Sequence, residues 1–244
     1  MQRVERVALA QETGRALQLL QDEANTQREQ TAFDPVTHWK GRRASRHILA
    51  VSAALKRMAG PRQRCMYCVD SGGSDIEHFW PKSPYCDRMY IWENLLIACT
   101  ECGRFKGNQF PRAEDGTPLL IDPTAEDPWD SLDFDPVTGN LNARYLLTTE
   151  AYSPQGEATA KVLHLDRREG MSAGYRKTYR RLCKLVTDWT DQHIAVDYLE
   201  QLREADDHGL LGWFLHGSGR NESGFSRFRE LYPDAWTVCQ QSFG

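Results

Sequence analysis

The sequence predicts an α+β fold, with a small cysteine-stapled centre embedded in a mostly helical frame. Three observations carry this. Two Cys-x-x-Cys pairs, Cys65/Cys68 and Cys99/Cys102, have the spacing of paired metal knuckles. Between them, a turn-forming run from Val69 to Asp75 leads into Ile76-Glu77-His78, a short strand that Pro81 stops. On both flanks apolar residues recur with helical spacing. The pattern divides the chain into an N-terminal helical segment (1–60), a central core with an acidic connector (61–150) and a C-terminal helical region (151–244).

Residues 1–30 read as one helix. Val4, Val7, Ala8, Ala16, Leu17, Leu19 and Leu20 fall near one stripe, with Gln, Glu and Arg between them. Asp34-Pro35 breaks that pattern. A basic run follows, with Lys40, Arg42, Arg43 and Arg46 beside His38, Trp39 and His47. The next helix spans about Ser45 to Met58, with Ile48, Val51, Leu55 and Met58 on one face. Two readings of the basic run stand side by side: a solvated helix face, or a collar that contacts phosphates.

Beyond the second cysteine pair, Pro111 to Pro136 is an acidic connector punctuated by proline. Leu119-Leu120-Ile121 is a candidate strand ending at Asp122. Glu126, Asp127, Asp130, Asp133 and Asp135 suit turn and helix-start capping better than a second metal site. Asp135 to Asn140 is a hairpin turn between strands at 132–134 and 141–147. From Glu157 onward the pattern is helical. Leu182, Leu185, Val186 and Trp189 form one apolar face, opposite Arg176, Lys177, Arg180, Arg181 and Lys184. A further helix runs through Ile194, Val196, Leu199 and Leu202, and two more cover Leu210–Leu215 and Phe225–Tyr232.

Composition narrows the function. A chain of 244 residues with 40% hydrophobic content can bury a sizeable core. A net charge of −4 excludes a uniformly basic nucleic-acid binder, so phosphate affinity has to be local. No leader segment and no long apolar run is evident, which predicts a cytoplasmic chain without membrane contact. In that setting four thiolates in two pairs predict a structural Zn2+ rather than two disulfides.

Within the cysteine brackets the residues Glu77-His78, Asn94-Leu95-Leu96 and the segment Gly103 to Gly107 resemble the HNH (ββα-metal) endonuclease family. The wording E-H-F-W-P-K-S and W-E-N-L-L-I-A-C-x-x-C-G-R-F-K-G is most similar to the nuclease subunit of Septu-type and retron-associated defence systems. The resemblance implies a zinc-bound ββα-metal centre and phosphodiester hydrolysis. In it His78 is the general base, Asn94 the residue that holds the loop and orients that base, and Glu77 a ligand of a catalytic Mg2+ or another divalent ion. Asp75, two residues from Glu77 on the same strand face, is a reserve ligand. Lys106 matches the family's basic helix position and suits a phosphate contact, as do Lys82, Arg42, Arg43 and Arg46. The resemblance also implies nucleic acid as substrate, DNA ahead of RNA, and an ATPase partner subunit. The chain departs from the family at Gly103, where the family usually places a His or Asn metal ligand. That departure sustains an alternative: a zinc-ribbon nucleic-acid-binding or assembly subunit with weakened or lost catalysis.

Overall fold

The computed structural model describes residues 1–30, 32–192 and 197–243. Two units are distinguished by their internal contacts. One comprises Val4–Met66 and Ser71–Gly116; the other comprises Met1–Arg3, Tyr67–Asp70 and Thr117–Gly244.

In the unit that holds His78, three helices precede a hairpin and a short helix. These are α1 (Gln11–Gln30), α2 (Pro35–Arg42), α3 (Arg46–Met58), β1 (Asp75–His78), β2 (Leu95–Ala98) and α4 (Thr100–Lys106). Capping explains the starts of α2 and α3. Asp34 accepts from the Val36 and Thr37 amides, with Pro35 at the first helical position, and Ser45 accepts from the Ile48 amide. The face of α3 read from the sequence is the buried one: Ile48, Val51 and Leu55 lie within the core. β1 and β2 are antiparallel, with Glu77 opposite Leu96 and His78 opposite Leu95. Every residue of β2 is buried, so its apolar run packs on both faces.

The first ten residues are not helical; α1 begins at Gln11. Long-range hydrogen bonds decide this. Arg6 donates to the carbonyls of Trp92 (2.8 Å) and Leu95 (3.1 Å), and the Trp92 indole donates to the Val7 carbonyl at 3.0 Å. A helix would consume the Val7 carbonyl internally, and the non-helical segment keeps it for Trp92.

The other unit carries two hairpins and six helices among its described residues. Strands β3 (Leu132–Phe134) and β4 (Leu141–Ala143) pair antiparallel, as do β5 (Tyr145–Leu146) and β6 (Ala151–Tyr152). The helices are α5 (Pro154–Leu163), α6 (Glu169–Gln192), α7 (Tyr198–Ala205), α8 (Leu211–Leu215), α9 (Ser223–Leu231) and α10 (Pro233–Ser242). The apolar face of α6 is buried at Leu182, Val186 and Trp189, while Lys177, Arg180, Arg181 and Lys184 are exposed. Phe214 of α8 stacks on Phe225 of α9 with centroids 3.9 Å apart. The expected helix positions Ile194 and Val196 lie outside the described residues. α10 was not anticipated in the sequence pattern, although Pro233 at its first turn is a start signal.

Leu119–Ile121 does not form a strand. Leu120 and Ile121 are buried, and the Ile121 amide donates to Thr159 Oγ1 of α5 at 2.9 Å. A helix side chain takes the place of a partner strand. The acidic connector caps turns: Asp122 accepts from Thr124, Asp127 from the Trp129 amide and Asp135 from Val137 and Thr138.

Candidate functional site

The cysteine knuckles are tied to the hairpin. Cys65 N–H donates to Ser71 O (2.8 Å), and Met66 N–H donates to Ile97 O of β2 (2.9 Å). Val69, directly after Cys68, has a φ of 50°, a left-handed conformation that a β-branched residue adopts only under constraint. The second knuckle is built into α4. Cys99 is its N-cap, and Cys99 Sγ accepts from the Cys102 amide at 3.4 Å. The helix therefore starts before Gly103 and includes Cys102.

All four cysteines are buried and none is in a disulfide. Their sulfurs lie within 4.8 Å of one another. Ligation by four thiolates at about 2.3 Å places tetrahedral sulfurs roughly 3.8 Å apart. Four buried thiols this close fit a zinc ion with little rearrangement, and the cluster can hold one.

His78 ends β1 and is 2% exposed. Its Nε2 lies 3.1 Å from the Met89 carbonyl. A carbonyl only accepts, so Nε2 carries the proton and Nδ1 is left as the acceptor of the ring. Trp39 of α2 packs edge-on against the imidazole, centroids 4.5 Å apart. Burial pushes the His78 pKa down to about 3, with the Lys82 and Lys106 charges adding to the fall. The ring is neutral at physiological pH.

Asn94 is buried immediately before β2 and spends its amide on the backbone. Its Oδ1 accepts from Trp80 N–H (2.7 Å), and its Nδ2 donates to Trp80 O (3.1 Å) and Arg88 O (2.8 Å). Arg88 precedes the residue whose carbonyl receives the His78 proton. One side chain thus fixes both the chain just past His78 and the loop that sets its tautomer.

Glu77 and Lys106 form an ion pair in which the lysine is buried and the glutamate partly exposed. Lys106 is 0% exposed; its Nζ lies 3.0 Å from Glu77 Oε1 and 2.6 Å from the His78 carbonyl oxygen. Burial lowers the Lys106 pKa, and Glu77 opposes that fall. In this structure the Lys106 ammonium, expected from the sequence to suit a phosphate, faces a carboxylate and a carbonyl, and the side chain is buried. Glu77 Oε2 lies 3.3 Å from where a Cβ on Gly103 would stand. A larger residue at 103 would crowd the carboxylate, so glycine here suits the Glu77–Lys106 pair. Gly107 then ends α4 with a φ of 46°.

Asp75 is exposed, and its Oδ2 accepts from Ser74 Oγ (2.8 Å) and Thr100 Oγ1 (3.3 Å). For a catalytic ion the chain offers at most a partial donor set, Asp75 and Glu77, which substrate oxygens and waters would have to complete. Glu77 is paired with Lys106, and Gly103 offers no donor. Among the described residues, the four cysteines are the one group of three or more His, Cys, Asp or Glu that gathers closely enough for a metal.

The basic run is more engaged than the sequence suggested. Arg42 pairs with Glu23 at 2.5 Å and Arg46 with Glu12 at 2.8 Å, both acids on α1. Arg43 is exposed, and Lys82 is half-buried in the loop after β1. Arg42 belongs to the same helix as Trp39. His38, also on α2, hydrogen-bonds the Tyr90 hydroxyl at 2.8 Å. Sequence reasoning missed Trp39, Met89 and Gln21. The last accepts from the Tyr90 amide (2.8 Å) and donates to Cys86 O (2.9 Å), bracing the loop that presents Met89. An aromatic beside a basic run was the signal available for Trp39; a backbone carbonyl such as that of Met89 leaves none.

No helix among the described residues is long and apolar enough to cross a membrane. No protein-family model matches the chain. Over 121 residues it is 28% identical to the Septu protein PtuB of Bacillus thuringiensis, a match covering 48% of this chain and 41% of that protein. The chain therefore spans well under half of that relative's length, and its likeness to a Septu protein is distant.

Proposed function

We propose that this chain is a metal-dependent endonuclease of the HNH type that hydrolyses phosphodiester bonds of nucleic acid. In this reading it is the nuclease effector of an anti-phage defence system and works with an ATPase partner. The distant likeness to a Septu protein supports the setting. The observation that carries the chemistry is His78: a neutral imidazole whose Nε2 proton is committed to the Met89 carbonyl. Nδ1 is then the one ring atom able to take a proton from an attacking water. Asn94 acts on geometry alone, holding Trp80 and Arg88 so that the ring cannot turn away. The zinc cluster holds the two knuckles between which β1 and β2 pair.

A catalytic Mg2+ or similar ion would relieve charge on the phosphate when bound. Such ions keep waters and bind through one or two carboxylates together with substrate phosphates. Asp75 and Glu77 are the residues of this chain that would serve, with substrate present.

The test is cleavage of single- and double-stranded DNA and of RNA with Mg2+ or Mn2+. The wild-type chain should cleave, and His78→Ala should lower the rate by about 10²–10⁴ with zinc content and circular dichroism unchanged. A variant that cleaves like wild type makes the histidine structural. A second reading, a binding or assembly subunit without catalysis, is favoured by the Glu77–Lys106 pair and Gly103. It predicts zinc and a stable partner complex, but no cleavage under any divalent ion.

A further inference from the structure

Two residues past His78, the chain presents a half-buried aromatic trio that the chemistry above does not use. Trp80, Tyr85 and Phe110 pack with centroids 4.9 Å (Trp80–Tyr85), 4.4 Å (Trp80–Phe110) and 5.7 Å (Tyr85–Phe110) apart. All three residues are half-buried. The Arg88 guanidinium lies over Trp80 at 4.5 Å and that of Arg112 over Tyr85 at 5.7 Å, and both arginines are exposed. The trio sits at the margin of this unit's core: Phe110 also packs edge-on against the buried Phe79, centroids 5.3 Å apart. Asn94 grips the Trp80 backbone through both its N–H and its carbonyl, so the indole is anchored to the same frame as the imidazole.

The geometry points to a stacking platform for unpaired nucleobases, which makes single-stranded or looped nucleic acid the preferred substrate; this rests on the nuclease reading. Aromatic faces and guanidinium planes stack any base, and arginines beside them neutralise the adjoining phosphates. Paired bases in a duplex are already stacked and hidden, so only an unpaired segment gains from the rings. Trp80 lies two residues past His78 in the chain, which puts the platform beside the candidate general base. Asn94 then has two duties in one amide, since the atoms that orient the base also hold the platform. Single-stranded DNA and an RNA loop present the same chemistry here.

The experiment measures fluorescence anisotropy of labelled single-stranded DNA, single-stranded RNA and a blunt DNA duplex with wild-type and His78→Ala chains. At least one single strand should bind about ten-fold or more tighter than the duplex. Tyr85→Leu with Phe110→Leu should lower that affinity about ten-fold and leave duplex affinity unchanged, while Trp80→Phe, which keeps a ring, should retain it. Should the leucine variant lose its zinc or its circular dichroism signal, Arg88→Gln with Arg112→Gln tests the same platform from its exposed rim and should weaken single-strand binding alone. Binding of one single strand only names the source of the base. Equal affinity for duplex and single strands, or no loss in the rim variant, overturns the platform. Absence of cleavage by the wild-type chain overturns the nuclease reading, and the binding comparison reads out separately from it.

Discussion

Replacing Lys106 with methionine isolates the electrostatics of its pair with Glu77. Methionine keeps most of the stem volume and adds no branch, so packing changes little. Two groups are stranded instead. The Glu77 carboxylate, with 18% of its side chain exposed, loses a cation at 3.0 Å, and the His78 carbonyl loses a donor at 2.6 Å. Removing one partner of a fully buried pair costs about 3–5 kcal/mol. Partial exposure of Glu77 lets water relieve part of this, leaving about 2–3 kcal/mol. The stranded carbonyl adds about 1 kcal/mol. The single variant should therefore lose about 3–4 kcal/mol. Adding Glu77→Gln removes the stranded charge and should recover about 2 kcal/mol, a coupling that a double-mutant cycle reads directly. Urea unfolding followed by circular dichroism, with zinc release measured in parallel by a chromogenic chelator, gives both numbers. A Lys106→Met chain within about 0.5 kcal/mol of wild type would refute the argument. So would a double variant weaker than the single.

Cys99→Ser should lower zinc from one ion per chain to well below one and unfold the hairpin, because metal binding and folding are one equilibrium in such sites. Elemental analysis finding folded, zinc-free wild-type protein would count against the cluster. Alanine at Arg42, Arg43 and Arg46 together should cut the salt dependence of nucleic-acid binding by about 2–3 in log–log slope, and loosening α1 should cost at most about 1 kcal/mol because the Glu23 and Glu12 pairs are partly exposed. An unchanged slope would assign these arginines to α1 alone. The buried neutral His78 also sets a pH dependence. Its folded pKa lies near 3 and its unfolded value near 6.5, so between these the unfolded chain binds a proton that the folded chain refuses. Stability should fall as pH drops below about 6.5, by about 2 kcal/mol at pH 5. His78→Asn should remove that part of the slope, and an identical slope in the variant would contradict the assignment.

Features that depend on neighbouring residues are legible in the sequence. Two Cys-x-x-Cys pairs fold into knuckles because each is only a turn long, and the four sulfurs do gather. A turn run ahead of Ile76 and a proline after His78 delimit a strand, and the apolar spacing of α3 and α6 names their buried faces. Carboxylates such as Asp34, Asp127 and Asp135 cap the turns they begin. Tertiary structure decided what depends on groups far apart in the chain. The Met89 carbonyl sets the His78 tautomer, and Glu77 draws Lys106 out of solvent. Glu12 and Glu23 engage two of the arginines, and Arg6 and Trp92 hold the first residues non-helical where their stripe suggested a helix. The physical reason is shared. Periodicity and turn chemistry are properties of a few consecutive residues. The partner of a buried charge or of a backbone carbonyl is chosen by the fold, where leaving either one unpaired costs more than local preference can return.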